Sequence, residues 1–305
     1  MNGVSLLAVL LPVLMLAEAQ PREQIYADTG PAAPRFDKGH LLSLQRPNRL
    51  KVFRPGGALA FDVVVSCPGS EACSASAVAV DGRGRVAVSV GTPGRQSGIE
   101  ILTASGQREG FIATQEYVAN ALCFDSGGNL WSLGFQRDRH RPDVEEKEDY
   151  FVVRKFSPDG APMGGYLARS LWPGAKSQPG RAGGGYWTMS AGGGRIGAVI
   201  HENHSDNPAE WMEWNERGEL VSRTVIPSAP FPRAYGSDGR LYGMFGEGPS
   251  RQLQVLDTAS RTWHPVAAML PAGGSLESSF LIGADGGDLV YRAGARLLWV
   301  RPGPR

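Results

Sequence analysis

The chain has 305 residues, of which 41 are glycine and 22 are proline, and 42% of its residues are apolar. Its 31 basic and 30 acidic residues leave a formal net charge of +1, so the totals show no basic surface and do not suggest nucleic-acid binding. A chain of this length can bury a substantial core. Many glycines, ample Val, Leu, Trp and Tyr, and no amphipathic helix pattern of useful length predict an all-β protein of short strands and tight turns.

The N-terminus has the pattern of a secretory signal peptide. Residues 4–16 form a nearly unbroken apolar run, and Ala17 and Ala19 follow where signal peptidase requires small residues. We expect cleavage near Ala19–Gln20, although no Lys or Arg precedes the run. The alternative is a membrane anchor, for which an apolar run of about 13 residues is short. The predicted organisation, for a periplasmic or secreted protein without a membrane span after cleavage, is a signal peptide over 1–19, an arm over 20–38 and a single domain over 39–305.

The cysteines are read in the light of export, which permits disulfide bonds. Cys67 and Cys73 flank a Pro-Gly-Ser-Glu-Ala loop, which predicts a bridged hairpin tip, with two free surface thiols as the alternative. Cys123 lies in the apolar sequence Ala-Leu-Cys-Phe. Because free cysteine is among the most buried residue types, we interpret Cys123 as a small buried hydrophobe rather than as a nucleophile.

Two kinds of hairpin alternate along the chain. The first is a β-run followed by a turn with Pro, Gly or Ser; its six copies are residues 50–57, 99–106, 152–160, 211–218, 253–260 and 297–303. The second is a pair of apolar strands around an Asp/Gly-rich turn; its five copies are residues 78–88, 122–131, 187–196, 235–242 and 281–290. In such turns Asp folds its carboxylate back onto backbone N–H groups, and Gly takes the positive φ that a tight hairpin needs.

Two hairpins in each period of about 42–58 residues predict four strands per period, which is the pattern of a β-propeller blade. The predicted fold class is therefore an all-β propeller of about six four-stranded blades, with a β-sandwich as the alternative. The chain ends inside a blade, so an N-terminal strand must close the ring. Residues 24–27 and 40–44 are the candidates, and the sequence leaves open both this choice and a count of five or six blades.

Residues 124–131 carry the most specific motif, Phe-Asp-Ser-Gly-Gly-Asn-Leu-Trp. It resembles the D-x-x-G-N-L-W core of NHL-type and SMP-30/gluconolactonase-like six-bladed propellers, and the resemblance extends over residues 40–303. Lactonases of that group bind a divalent cation in the central channel through a Glu, one or two Asn and an Asp, and use an Asp as base. Asn120 precedes an inner strand, as such a ligand does, but no Glu and Asp match, so no catalytic residue is carried over.

Function is expected on one face of the ring. With the strands of a blade called A to D from the axis outwards, the A–B and C–D turns emerge on one face, and the B–C loops and D–A links emerge on the other. The turns are short and alike, whereas the other connections vary, and varied loops on a rigid scaffold commonly carry binding. We therefore place the ligand or partner site on the B–C and D–A face. The candidate residues at the channel mouth are Tyr117, Asn120, Tyr186, Trp187 and Arg233, the alternative being that the Tyr and Trp rings wedge between blades.

Two B–C loops carry many charges. Residues 136–150 are suited to a charged partner or a saccharide, with a solvated loop as the alternative. The second loop contains His201, Glu202, His204 and Asp206, which are side-chain types that bind Zn²⁺ and other divalent ions. Its alternative is a polar loop tip. A divalent metal is the one cofactor that the sequence suggests.

Three functions compete. No G-x-S-x-G, H-E-x-x-H or phosphate-loop motif occurs, so the catalytic residues are unknown. A monomeric binding or scaffold propeller for a protein, small molecule or saccharide is favoured. The alternative is a lactonase-like hydrolase with a metal in the central channel. The third hypothesis is a sensor-like domain whose partner is another protein.

Overall fold

The computed structural model describes residues 22–25, 34–92, 96–136, 150–171, 188–226, 233–236, 238–246, 250–269 and 279–303. Within them the chain forms six antiparallel sheets of four strands each, arranged in a ring, and one short strand is added to the last sheet. The helix that these residues contain in full is one 3₁₀ turn at Arg169–Leu171, and none of them forms a helix long and apolar enough to cross a membrane. The protein is a six-bladed β-propeller, as the alternating hairpins predict.

The strands follow one another from the axis outwards in each blade, after β1 (Arg22–Ile25), which belongs to the last blade. Blade 1 contains β2 (Arg35–Asp37), β3 (His40–Gln45), β4 (Arg49–Phe53) and β5 (Leu59–Val64). Blade 2 contains β6 (Ser74–Val80), β7 (Val86–Gly91), β8 (Ser97–Leu102) and β9 (Arg108–Gln115). Blade 3 contains β10 (Tyr117–Phe124), β11 (Leu130–Gln136), β12 (Phe151–Phe156) and β13 (Pro162–Ala168).

The second half of the ring repeats this order. Blade 4 contains β14 (Thr188–Gly192), β15 (Arg195–Ile200), β16 (Ala209–Asn215) and β17 (Leu220–Ile226). Blade 5 contains β18 (Arg233–Tyr235), β19 (Leu241–Phe245), β20 (Gln252–Asp257) and β21 (Thr262–Pro265). Blade 6 contains β23 (Phe280–Asp285), β24 (Asp288–Ala293) and β25 (Arg296–Pro302), and the short β22 (Ala268–Met269) pairs with the end of β25.

An N-terminal strand closes the ring, as predicted. β1 pairs antiparallel with β25, with Glu23 opposite Leu298, and so becomes the outermost strand of blade 6. Of the two candidate segments, 24–27 overlaps β1, whereas 40–44 lies within β3 of blade 1. The segment 20–38, expected to be an arm, supplies both β1 and β2 to the propeller.

The middle strands of a blade are buried on both faces. All six residues of β8 and the first five of β7 are buried, whereas the outer strand β9 exposes about every second residue along its second half. Because each sheet packs against neighbouring blades on both sides, its middle strands need apolar residues at consecutive positions rather than at alternate ones. This packing explains the unbroken apolar runs in the sequence.

The Asp/Gly turns have the chemistry expected from the sequence. In blade 2, Asp81 Oδ1 accepts hydrogen bonds from the backbone N–H groups of Arg83 (2.8 Å) and Arg85 (2.9 Å). Gly84 in the same turn has a φ of +83°, which a residue with a Cβ rarely adopts. The carboxylate and the glycine therefore fix the hairpin together.

Asp125, in the corresponding position of the A–B turn of blade 3, ties blade 3 to blade 4. Its carboxylate accepts hydrogen bonds from the backbone N–H of Asn129 (2.8 Å) and from Nε1 of Trp131 (3.0 Å). Nζ of Lys155 lies 3.2 Å from Oδ2 of Asp125 and also donates to the backbone carbonyl of Glu216 in blade 4 (2.6 Å). Burial alone would raise the pKa of Asp125, but the hydrogen bonds from its three donors outweigh burial and lower that pKa.

The cysteines are placed in two different environments. Cys67 and Cys73 are joined by a disulfide bond, with their Cα atoms 5.5 Å apart. Cys123 lies in β10 with a free thiol and is buried. Burial raises the pKa of the Cys123 thiol, so the reactive thiolate is scarce at neutral pH.

Replacing Asp125 with Asn leaves the Lys155 ammonium buried without its carboxylate partner, and we expect a loss of about 3 kcal/mol in the free energy of unfolding. Because the pKa of Asp125 is lowered in the folded protein, its contribution is fully present above the ordinary value of 3.8 and is lost as the pH falls through the folded-state value. Urea unfolding at neutral pH and at a series of acid pH values measures both effects.

The matched control for this substitution is Glu71→Gln, which removes an exposed carboxylate and should change stability by less than about 0.5 kcal/mol. The variant Asp125→Asn should also lose part of the acid dependence seen in the wild-type protein. An acid profile identical to that of the wild type would show that Asp125 is not one of the groups that titrate on unfolding.

Labelling with iodoacetamide, read by mass spectrometry without reduction, tests the state of the cysteines. We expect no label on the native protein, since the free thiol is buried, and one label per chain after unfolding, on Cys123. Reduction in denaturant should expose all 3 cysteines. The variant Cys123→Ala should remove the single label, and labelling of Cys67 or Cys73 before reduction would contradict the disulfide.

Candidate functional site

The innermost strands of the six blades surround an axial cavity of about 1480 Å³. Its wall contains residues of β2, β6, β10, β14, β18 and β23, one strand from each blade. Each of these strands pairs with a neighbour in its sheet on one side only, so the backbone groups of its other edge face the axis. The cavity is therefore lined by backbone as well as by side chains.

Three of the inner strands carry a β-bulge. In β6, β10 and β23 the register of the inner hairpin shifts by one residue. The residues at the shifts are Ser76, Asn120 and Ile282, and all three line the cavity. Because a bulge leaves one residue unpaired and redirects its side chain, the bulges explain how these side chains come to face the cavity.

The guanidinium of Arg35 crosses the cavity from blade 1. Its Nη1 donates to the backbone carbonyl oxygens of Val78 in blade 2 (3.2 Å) and Leu122 in blade 3 (2.8 Å). Its Nη2 donates to the carbonyl of Met189 (2.9 Å) in blade 4, which faces blade 1 in a ring of six. Nη2 also lies 3.6 Å from Oδ2 of Asp37. One side chain thus connects four of the six blades at the axis.

The A–B turn of blade 1 also bonds to the inner strands of blades 2 and 3. Lys38 Nζ donates to the carbonyl of Phe124 (2.9 Å), the last residue of β10, and Asp37 Oδ2 accepts a hydrogen bond from the N–H of Val80 (3.4 Å), the last residue of β6. Lys38 and Gly39 have φ values of +45° and +82°, as a two-residue hairpin turn requires. Since inner strands end at the A–B turns, Asp37 and Lys38 lie at the turn-face end of the cavity and line it there.

The other end of the cavity lies on the face of the B–C loops and D–A links. Phe280, the first residue of β23, lines the cavity there and is 55% exposed. Arg292, its cross-strand partner on β24, and Arg46, in the B–C loop of blade 1, also line the cavity. Cζ of Arg251 lies 5.6 Å from the centre of the Phe280 ring. An exposed aromatic ring and guanidinium groups therefore mark this end.

Two of the residues that the sequence predicts at the channel mouth have described side chains. Asn120 lines the cavity, as expected of a channel residue. Tyr117 is buried, and its hydroxyl donates to the carbonyl of Val152 (2.9 Å) and lies 3.1 Å from Oγ of Ser132. Cζ of Arg154 lies 4.0 Å from the centre of the Tyr117 ring, and burial raises the pKa of the Tyr117 hydroxyl. The Tyr117 ring thus belongs to a buried core cluster.

The remaining candidates are placed only in part. The backbone of Arg233 begins β18 and pairs with Gly243. Six candidates lie outside the described residues, as does most of the charged loop after β11: Tyr186, Trp187, His201, Glu202, His204 and Asp206.

Sequence reasoning missed Arg35, Asp37 and Lys38, which it assigned to an arm. A signal for them exists, because Asp37-Lys38-Gly39-His40 is an Asp/Gly turn of the second hairpin type and gives blade 1 its A–B turn. Ser76 and Phe280 had no such signal, since a bulge and a position at the cavity mouth depend on the assembled ring.

The described residues do not fit the divalent cation that the resemblance to lactonases implies. No three His, Cys, Asp or Glu side chains among them form a group that could hold a metal ion. The carbonyl oxygens of Val78, Leu122 and Met189 at the axis accept hydrogen bonds from Arg35. A metal ion beside this guanidinium would meet like-charge repulsion, so this level of the channel is occupied by a cation of the protein itself.

Fold and cavity together define a six-bladed propeller with an axial cavity whose wall includes Arg35 and Lys38. Among solved structures, the chain is similar to a gluconolactonase from Xanthomonas campestris, with 15% sequence identity and a TM-score of 0.54 over 93% of this chain and 90% of that one. It is also similar to a protein of unknown function from Bacteroides caccae, with 13% identity and a TM-score of 0.48 over 86% and 83% of the two chains. No family model and no curated protein matches the chain. The likeness to the gluconolactonase is one of fold, that of a six-bladed β-propeller, and extends no further.

Proposed function

We propose that this protein is an exported propeller that binds a small, oxygen-rich ligand in its axial cavity. The single observation that carries the proposal is the asymmetry of the cavity. Arg35 and Lys38 bind backbone carbonyls of other blades toward its turn face, whereas Phe280 is exposed at its loop face. Its volume of about 1480 Å³ exceeds the roughly 300–1,000 Å³ of ordinary ligand pockets, so a saccharide of one or two units fits with water around it.

The cavity wall favours a ligand rich in hydroxyl or carboxylate oxygens. Ser74, Ser76, Thr188 and Ser190 contribute hydroxyl-bearing residues to the wall. Asn120 adds an amide that can both donate and accept, and it has no hydrogen-bond partner among the described residues. Polar groups of this kind fix the orientation of a ligand and determine its specificity.

The residues at the mouth suit the two faces of a saccharide or a hydroxylated acid. The exposed ring of Phe280 offers an apolar surface to the C–H face of such a molecule. Arg46 offers guanidinium donors, which bind carboxylates through charge-assisted hydrogen bonds. A ligand that carries an apolar face and an acidic or hydroxylated edge can contact the aromatic ring and the guanidinium donors at the same time.

Export is part of the proposal and is supported by two observations. Residues 1–19 have the order of apolar run and small residues that signal peptidase recognises. The disulfide between Cys67 and Cys73 is a bond that persists in oxidising compartments. The mature protein is then a monomeric domain of the periplasm or the medium.

A lactonase-like hydrolase is the second hypothesis. Its support is the fold-level similarity to a gluconolactonase, and a fold alone does not imply an activity. We therefore place binding before catalysis.

Isothermal titration calorimetry with a panel of hexoses, hexonates and disaccharides tests the proposal. For a ligand that binds, Phe280→Ala and Asn120→Leu should each raise Kd at least about tenfold, which corresponds to the loss of one good contact. The control is Arg54→Gln, an exposed residue in the C–D turn of blade 1 on the opposite face, which should leave Kd unchanged.

Binding that both cavity variants leave intact would place the site elsewhere and overturn the proposal. Metal-dependent opening of a sugar lactone by the wild-type protein, abolished in Asn120→Leu, would instead support the hydrolase. Thermal unfolding of each variant separates loss of the site from loss of the fold.

A further inference from the structure

Backbone oxygens of several blades face the axis of this propeller. The inner strands turn the unpaired edges of their backbones toward the axial cavity, and carbonyl oxygens of three blades lie within reach of one side chain there. Backbone carbonyls and carboxylates are the ligands that hard cations such as Ca²⁺ take. Such a ring of oxygens attracts positive charge whatever its source.

In this chain the positive charge at the axis belongs to a side chain of the protein itself. The Arg35 guanidinium lies within 3.2 Å of the carbonyl oxygens of Val78, Leu122 and Met189, and within 3.6 Å of the Asp37 carboxylate. These four oxygens belong to four different blades. The set of three carbonyls and one carboxylate is the donor set of a cation site, and a guanidinium fills it because it presents several donors in one plane.

We propose that Arg35 is a tethered cation that fills the axial cation site, so that a side chain of blade 1 does the work of a bound metal ion in holding the blades together. Lys38, in the A–B turn that follows β2, has a related role, because its Nζ donates to the carbonyl of Phe124 nearer the turn face. The axis therefore needs no metal for stability. The proposal is independent of the ligand that the cavity takes.

A tethered cation differs from an ordinary structural hydrogen bond in a measurable way, because a free cation of the same shape can replace it. Removal of the Arg35 side chain leaves three carbonyls and the Asp37 carboxylate around a hole of guanidinium shape. Free guanidinium fits that hole and carries the missing charge. Urea has nearly the same shape but no charge. A comparison of guanidinium with urea therefore distinguishes the effect of charge from the effect of shape.

The experiment is thermal unfolding of Arg35→Ala in the presence of about 10 mM guanidinium chloride, urea or sodium chloride, where a ligand of the native state raises the midpoint. We expect the substitution to lower the midpoint by roughly 5 °C or more, given the loss of several charge-assisted hydrogen bonds. Guanidinium should recover a substantial part of this loss, and urea and sodium chloride should not. The wild-type midpoint should not rise with any of the three.

The matched control is Arg49→Ala in the same blade. Arg49 forms a two-bonded ion pair with Asp62 (2.8 Å for each bond) on the exposed side of the sheet, so its loss leaves no enclosed hole for guanidinium. Its midpoint should not recover with guanidinium. Equal recovery of Arg35→Ala by urea and guanidinium, or recovery of both arginine variants alike, would overturn the proposal.

Two further variants keep the test decisive if Arg35→Ala is not recovered as folded protein. Arg35→Lys retains the charge and Arg35→Gln retains hydrogen-bonding capacity without charge, so a tethered cation makes the lysine variant the more stable of the two. Equal stability would overturn the proposal. A wild-type midpoint that EDTA lowers and calcium restores would overturn it as well, since the ring would then depend on a resident metal.

Discussion

The inner edges of six sheets all face one axial cavity, and this constraint shapes the centre of the molecule. A buried backbone group without a partner costs about 1–3 kcal/mol, and an edge strand presents a row of such groups. In this propeller, blade 1 supplies the partners for the facing edges. Arg35 binds carbonyls of blades 2, 3 and 4, Asp37 accepts the N–H of Val80, and Lys38 binds the last carbonyl of β10. The blade that is completed first in the chain is thus the one that holds the axis.

On the turn face, the Asp carboxylates of several A–B turns are bound by side chains that differ from blade to blade. Asp81, Asp125 and Asp238 each accept a hydrogen bond from a backbone N–H of their own hairpin. These three carboxylates and that of Asp285 also accept a hydrogen bond or ion pair from a larger side chain. Arg85 donates to Asp81, and Trp131 and Lys155 donate to Asp125. Trp299 donates to Asp285, and Tyr242 donates to Asp238. Because these carboxylates are engaged by the fold, the turn face has structural tasks in blade after blade. The loop face, with Asn120 and Phe280 exposed to the cavity, retains groups that a ligand can use.

The likeness to a gluconolactonase shows how little a shared fold says about the centre of a propeller. Six inner strands can offer their backbone oxygens to a cation, and in this chain the Arg35 guanidinium binds three such oxygens.

The sequence by itself determined the blades, because each blade is built from local hairpins whose Asp/Gly turns and apolar runs lie within a few residues of one another. It also determined that an N-terminal strand closes the ring, since the last blade lacks its outer strand. Only the tertiary structure decided which segment closes it, where the bulges at Ser76 and Asn120 lie, and what Arg35 does. The bonds of Arg35 reach residues 43, 87 and 154 positions away, and no pattern confined to one hairpin carries information about partners that only the closed ring brings together.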